Sequence, residues 1–273
     1  MGVAMLPANG IHVCVETFGE RTDPPLLLIA GGASSMDWWE DEFCRRLAAG
    51  GRYVIRYDHR DTGRSSSFPA GEPPYSVADL AADALGLLDA IGVRRAHIVG
   101  LALGGALAQR IAVEHPARVR TLTLMATRPE SEELADGTAE EQDDPTDWRD
   151  RRAAVDRIVA ETLDLAGPLT FDEAHLRRLA ERVYDRTTDM AASAANHWLA
   201  ARGAPIAGRL GEITAPTLIL HGTEDKLFAM PAAEKLEREI PEATLVTLTG
   251  VGHEFPPRAV WDVVLTLILD HTA

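Results

Sequence analysis

Apolar residues along the chain fall into short blocks that alternate between two periods. Val13, Val15 and Thr17 alternate with Cys14 and Glu16, the pattern of a half-buried strand. Leu26-Leu27-Leu28-Ile29-Ala30 runs unbroken between Pro24-Pro25 and Gly31-Gly32, as a strand covered on both faces does. Tyr53 to Asp58, His97 to Leu101, Thr121 to Ala126, Thr217 to Leu220 and Thr244 to Leu248 read as further strands. Helical periods lie between them: Trp38 to Ala48, Val77 to Ile91, Gly104 to Glu114, Ala232 to Glu239 and Arg258 to Asp270. Ser76 with Asp79 three residues on marks the start of the second helix, and Gly92 its stop.

After Ala126 the alternation lapses for about eighty residues. These hold mainly helical patterns, at Ala153 to Leu165, Phe171 to Tyr184 and Met190 to Ala201. Strand–helix alternation predicts an α/β fold with a mostly parallel, eight-stranded sheet flanked by helices, with the first strands antiparallel at one edge. The interruption predicts a helical cap over residues 128–208, on a core formed by 1–127 and 209–273. Ligands of open α/β sheets bind at the carboxyl ends of the strands, and the cap is expected there.

Composition narrows the function. The 273 residues carry 27 basic and 42 acidic side chains, a net charge of −15. A surface this acidic repels phosphate backbones, so no nucleic-acid partner is expected. From Arg128 to Asp150 ten acids face two arginines, without periodic apolar positions, which predicts a mobile, solvated segment. No apolar run reaches membrane-spanning length, and no signal peptide is read at the N-terminus, so a cytoplasmic protein is expected. Cys14 and Cys44 form no pairwise motif, and no metal spacing, phosphate loop or dinucleotide fingerprint occurs, so neither a metal nor a cofactor is expected.

The chemistry concentrates in three segments. Gly100-Leu101-Ala102-Leu103-Gly104 joins a strand to a helix with the layout of a nucleophile elbow, in which small residues flank a strained central position. Asp225 follows the strand that ends in Leu220-His221-Gly222, and His253 follows Gly250-Val251-Gly252. The order is that of a hydrolase triad along the chain: nucleophile position, acid, histidine. The histidine would take a proton, and the acid would orient it and stabilise its cation. The N–H groups of Gly32 and Leu103 are the candidate oxyanion hole. Candidate substrate-binding residues are Gly31, Trp38, Trp39, His197, Trp198, Phe228 and Phe255, with Met230 as a flexible contact. His59, Arg60, Asp61, Asp58 and Arg64 read as a structural hydrogen-bonded network, and His12, His115, His175, His221 and His271 as structural or surface residues.

On these motifs the chain resembles capped α/β-hydrolases over nearly its whole length. It is most similar to anthracycline methylesterases of the aclacinomycin type. The likeness rests on Asp41-Glu42-Phe43, Arg45-Arg46-Leu47-Ala48, Gly50-Gly51, and the run Val54 to Ser65 with its Asp58-His59-Arg60-Asp61-Thr62-Gly63-Arg64-Ser65 core. The resemblance implies hydrolysis of a carboxylic methyl ester on a polycyclic aromatic polyketide, a small hydrophobic or aromatic substrate; the oligomeric state stays open between monomer and homodimer. One departure stands out: Ala102 occupies the position of the family's serine.

Ala102 leaves three readings open. The chain is a serine hydrolase whose nucleophile has been substituted, as in a form engineered to trap a ligand. It is instead an enzyme in which His253, backed by Asp225, acts as general base for elimination, cyclisation or decarboxylation. Or the site is silent and the protein binds without reacting.

Overall fold

The computed structural model describes residues 2–130, 146–170 and 172–273. The central part of the acidic stretch expected to be mobile, 131–145, and the expected helix start at Phe171 lie outside the described residues.

Eight strands form one sheet: β1 (Ala4–Ala8), β2 (Ile11–Phe18), β3 (Pro25–Ile29), β4 (Tyr53–Tyr57), β5 (Ala96–Leu101), β6 (Val119–Met125), β7 (Thr217–Gly222) and β8 (Ala243–Leu248). Their order is β1-β2-β4-β3-β5-β6-β7-β8. β1 pairs antiparallel with β2, and β2 with β4; every other pair is parallel. Strands β4, β5 and β7 are buried along their whole length, as central strands covered by helices on both faces are.

The helices between strands are α1 (Asp41–Ala49), α2 (Val77–Ala90), α3 (Leu103–Glu114), α7 (Met230–Glu239) and α8 (Trp261–His271). They build two cores, one on each face of the sheet. Leu80, Leu87, Leu107, Ile111 and Leu236 of α2, α3 and α7 pack with Leu27, Ile55 and Ile98. Phe43, Leu47, Trp261 and Leu265 of α1 and α8 pack with Leu26, Leu28, Val54 and Val99 on the other. The expected capping box is formed: Ser76 accepts from the Asp79 N–H, and Asp79 accepts from the Ser76 N–H at 2.8 Å.

Between β6 and β7 stand three helices, α4 (Arg151–Leu165), α5 (Glu173–Arg186) and α6 (Met190–Leu199). Val155 and Val159 of α4 meet Leu176 and Ala180 of α5 in a small core of their own. α5 is tied down by charge. Arg186 reaches Asp37 at 2.6 Å and Asp58 at 2.5 Å, and Arg182 reaches Asp37 at 2.8 Å and Asp41 at 3.1 Å. Among the described residues no helix is long and apolar enough to cross a membrane.

Candidate active site

Ala102 alone makes the turn from β5 into α3. Its backbone lies at φ 51°, ψ −114°, where an L-residue is strained by about 1–3 kcal/mol. Close packing enforces the turn. A Cβ on Gly100 would come 2.2 Å from the Gly104 carbonyl oxygen, and one on Gly104 would come 2.4 Å from the oxygens of Ile29 and Ala30. The Ala102 N–H donates to the Met125 carbonyl at 3.0 Å, and its carbonyl accepts from the Thr127 hydroxyl at 2.8 Å. The Leu103 N–H is the first of α3, without an acceptor inside the helix, at the positive end of its dipole. The Leu103 side chain packs into the core beside α2 and α3.

Asp225 and His253 sit on the loops after β7 and β8. The His253 Nδ1 donates to Asp225 Oδ2 at 3.0 Å. The other carboxylate oxygen accepts from the N–H groups of Leu227, at 3.0 Å, and Phe228, at 2.7 Å. His221, from the end of β7, donates to the Phe228 carbonyl at 2.7 Å and lies 3.7 Å from Asp225. Burial pushes the Asp225 carboxyl up. The hydrogen bond and charge of His253, the Phe228 N–H and His221 outweigh that and hold it below the ordinary carboxylate range. An ionised Asp225 fixes the hydrogen on Nδ1, which leaves Nε2 as the basic nitrogen of the ring.

A cavity of about 860 Å³ separates the strand ends from α4–α6. Ala102, His253, Gly31 and Gly32 form its floor. A Cβ on Gly31 would lie 3.6 Å from that of Ala102. Trp38, Trp39, Phe255 and Trp198 also line it. Trp38 stacks on Phe255 at 5.8 Å, and Trp39 meets the edge of Phe255 at 5.0 Å. Trp39 is otherwise a core residue, 1% exposed. From α4–α6, Ile158, Leu165, Leu176, Leu179 and Met190 complete an apolar roof.

Three expected substrate contacts sit elsewhere. His197 is buried off the cavity, because both of its nitrogens are bound to backbone, at Ala33 and Arg60. Phe228 packs its ring against the edge of the His253 imidazole at 5.0 Å, beneath the Arg128 guanidinium, and so supports the histidine rather than lining the cavity. Met230 opens α7 and packs into the core beside α2 and α3. Packing accounts for the glycine at position 32. Its missing side chain makes room for Trp198, whose ring would lie 2.5 Å from a Cβ there.

Two residues gain importance from the structure. The buried Glu254, next to His253, accepts from the N–H groups of Gly167 at 2.8 Å and Gly252 at 2.9 Å, and from the Thr170 hydroxyl. It joins the histidine loop to the chain after α4, as does the His253 N–H, which donates to the Leu165 carbonyl at 2.8 Å. A carboxylate beside the histidine is visible in sequence, but the Gly167 amide it serves comes from 87 residues away. His175, expected to be structural or on the surface, lines the cavity and pairs with Glu40 at 3.0 Å. Residues 58–63 are a buried scaffold: Asp58 accepts from the Met36 and Arg64 N–H groups, and Arg60 pairs with Asp83. Among the described residues no cluster of three or more His, Cys, Asp or Glu side chains could hold a metal ion.

A doubly wound sheet with this elbow, acid and histidine at its carboxyl edge defines an α/β-hydrolase, and the chain belongs to that family: the model described as alpha/beta hydrolase fold matches residues 24–256. Over 100% of its length the chain is 34% identical to a rhodomycin D methylesterase of Streptomyces sp. (strain C5), covering 98% of that protein. A second rhodomycin D methylesterase, from Streptomyces peucetius, is 33% identical with the same coverage. Among solved structures, a hydrolase from Pseudomonas aeruginosa PA01 superposes with a TM-score of 0.74 at 30% identity, over 98% of each chain. An esterase from Rhodococcus sp. ECU1013 gives 0.77 at 25% identity, also over 98% of each.

Proposed function

We propose that this site is that of a carboxylic ester hydrolase, with a methyl ester on a polycyclic aromatic polyketide as its substrate class. In this reading residues 1–127 and 209–273 act as the core and 128–208 as a cap. One observation carries it: Asp225 holds His253 at 3.0 Å, and His253 shares with the strained elbow at Ala102 a cavity walled by Trp38, Phe255 and Trp198. The full-length likeness to rhodomycin D methylesterases supports the substrate class.

With serine at position 102 the chemistry is direct. The hydroxyl oxygen attacks the ester carbonyl while His253 Nε2 takes its proton. The N–H groups of Gly32 and Leu103 hold the oxyanion, and methanol leaves with the proton from His253. Water, deprotonated by His253, then releases the acid. With Ala102 the first bond cannot form. The chain binds the ester but lacks the covalent route.

Ala102→Ser, assayed beside the chain as it stands, tests this. A chromogenic short-chain ester, a polyketide methyl ester and a fluorophosphonate serve as probes. The serine form gains turnover by at least about 10³-fold and labels at residue 102. A serine form inert to all three probes overturns the reading. One observation favours a second reading: the acid–histidine pair keeps working geometry although no nucleophile is present. His253 would then remove a proton from substrate carbon, in an elimination, cyclisation or decarboxylation. In that case Ala102→Ser brings no gain, and His253→Ala abolishes a reaction the unchanged chain performs.

A further inference from the structure

The loop Ala30 to Ala33 is gripped by two imidazoles. From the core, His59 Nε2 donates to the Ala30 carbonyl at 3.1 Å. From α6, His197 Nδ1 accepts the Ala33 N–H at 3.0 Å, while its Nε2 donates to the Arg60 carbonyl at 2.8 Å. The two rings meet edge to face at 5.6 Å, each 1% exposed. Only one tautomer of neutral His197 satisfies both of its partners, with hydrogen on Nε2 and a bare Nδ1. Burial holds its basicity down and so favours that neutral ring.

The grip acts where the backbone needs it. Ala33 has φ 55°, a left-handed conformation that a non-glycine residue adopts under constraint. Its N–H is consumed by His197, and the Ser34 N–H by the Gly31 carbonyl at 3.4 Å. Gly32 is therefore left as the amide of this turn for an oxyanion. The residue after His197, Trp198, lays its ring on Gly32 and lines the cavity.

We propose that His197 is a positioning residue: from α6 it locks the backbone of residues 31–34 so that the Gly32 N–H is held in donor geometry, with Trp198 pressing on the same turn. The helical insertion thus helps to build the oxyanion hole. The catalytic consequence rests on the ester-hydrolase reading; the lock itself does not.

The lock is tested first on the chain as it stands. An N–H···N bond transmits a scalar coupling, so ¹⁵N NMR should show a cross-peak between the Ala33 amide and His197 Nδ1. Amide exchange is then compared across variants. His197→Phe keeps a ring without an acceptor and should speed exchange at 31–34 by about 10-fold or more. His197→Asn, whose Oδ1 restores an acceptor, should stay within about 3-fold of the parent. In the Ala102→Ser background, His197→Phe should lower ester kcat about 10- to 100-fold with KM within about 2-fold, and His197→Asn should recover most of the loss. Absence of the coupling, unchanged exchange in His197→Phe, or equal losses in Phe and Asn variants overturns the proposal. If the serine form turns over no ester, the hydrolase reading falls, and the coupling and exchange data still decide the lock.

Discussion

Ala102 carries backbone strain at the centre of the site. At φ 51°, ψ −114° a residue without a Cβ is relaxed, so Ala102→Gly should stabilise the fold by about 1 kcal/mol, seen as a higher urea midpoint. The opposite holds two residues on. Gly104→Ala drives a methyl to within 2.4 Å of two carbonyl oxygens and should cost about 3 kcal/mol in the same measurement. These residues were legible in sequence because the tight turn imposes small side chains at fixed spacing, and triad order imposes chain order. His197 was legible only as a histidine on a helix. Its role depends on Ala33 and Arg60, more than 130 residues away, and no local spacing encodes that pairing. Phe228 reads in sequence as a candidate substrate contact, yet a loop leaves side-chain direction open, and the ring lies against His253.

At the scale of elements, α5 is tied to the sheet side of the molecule by two arginines. Arg186 lies between Asp37 and Asp58, whose side chains are fully buried. Burial already raises the Asp58 carboxyl against the pull of Arg186 and the Arg64 and Met36 N–H groups. Removing the cation leaves buried carboxylates facing each other, so Arg186→Met should destabilise by about 3–5 kcal/mol, read by urea unfolding. The parallel strands and their helices were legible from period alone, with ends shifting by one to three residues where 3₁₀ turns precede α1 and α8. β1 was not. Its outward side chains are exposed, Met5 by 46%, and Pro7 interrupts it, both tolerated at a sheet edge. The Asn9-Gly10 turn, at φ 45° and 78°, is the signal that marks its hairpin with β2.

For the whole molecule, sheet polarity gathers the three chemical segments at one edge, while buried histidines set its acid tolerance. Burial and the neighbouring His197 push His59 down to about 3, and burial with nearby arginines pushes His97 down to about 4. Both are neutral in the folded state and free to protonate near 6.5 when unfolded. Their contribution is complete above pH 6.5 and is lost as pH falls towards those values. His59 should remove about 2 kcal/mol between pH 6.5 and 5 and the less enclosed His97 a smaller amount, and His59→Gln should flatten the pH dependence of urea unfolding over that range by about one proton. The elbow at Ala102 has a consequence of another kind. On the ester-hydrolase reading, a cavity that binds the ester and lacks the covalent path keeps its occupant intact, so saturation persists for the length of a melting scan. At a hundred times its dissociation constant, such an occupant adds about 2.7 kcal/mol to stability, roughly 5–10 °C in a chain of this size. On that reading the alanine turns the melting temperature into a chemical sensor, with which mixtures of esters can be sorted by the heat the protein withstands.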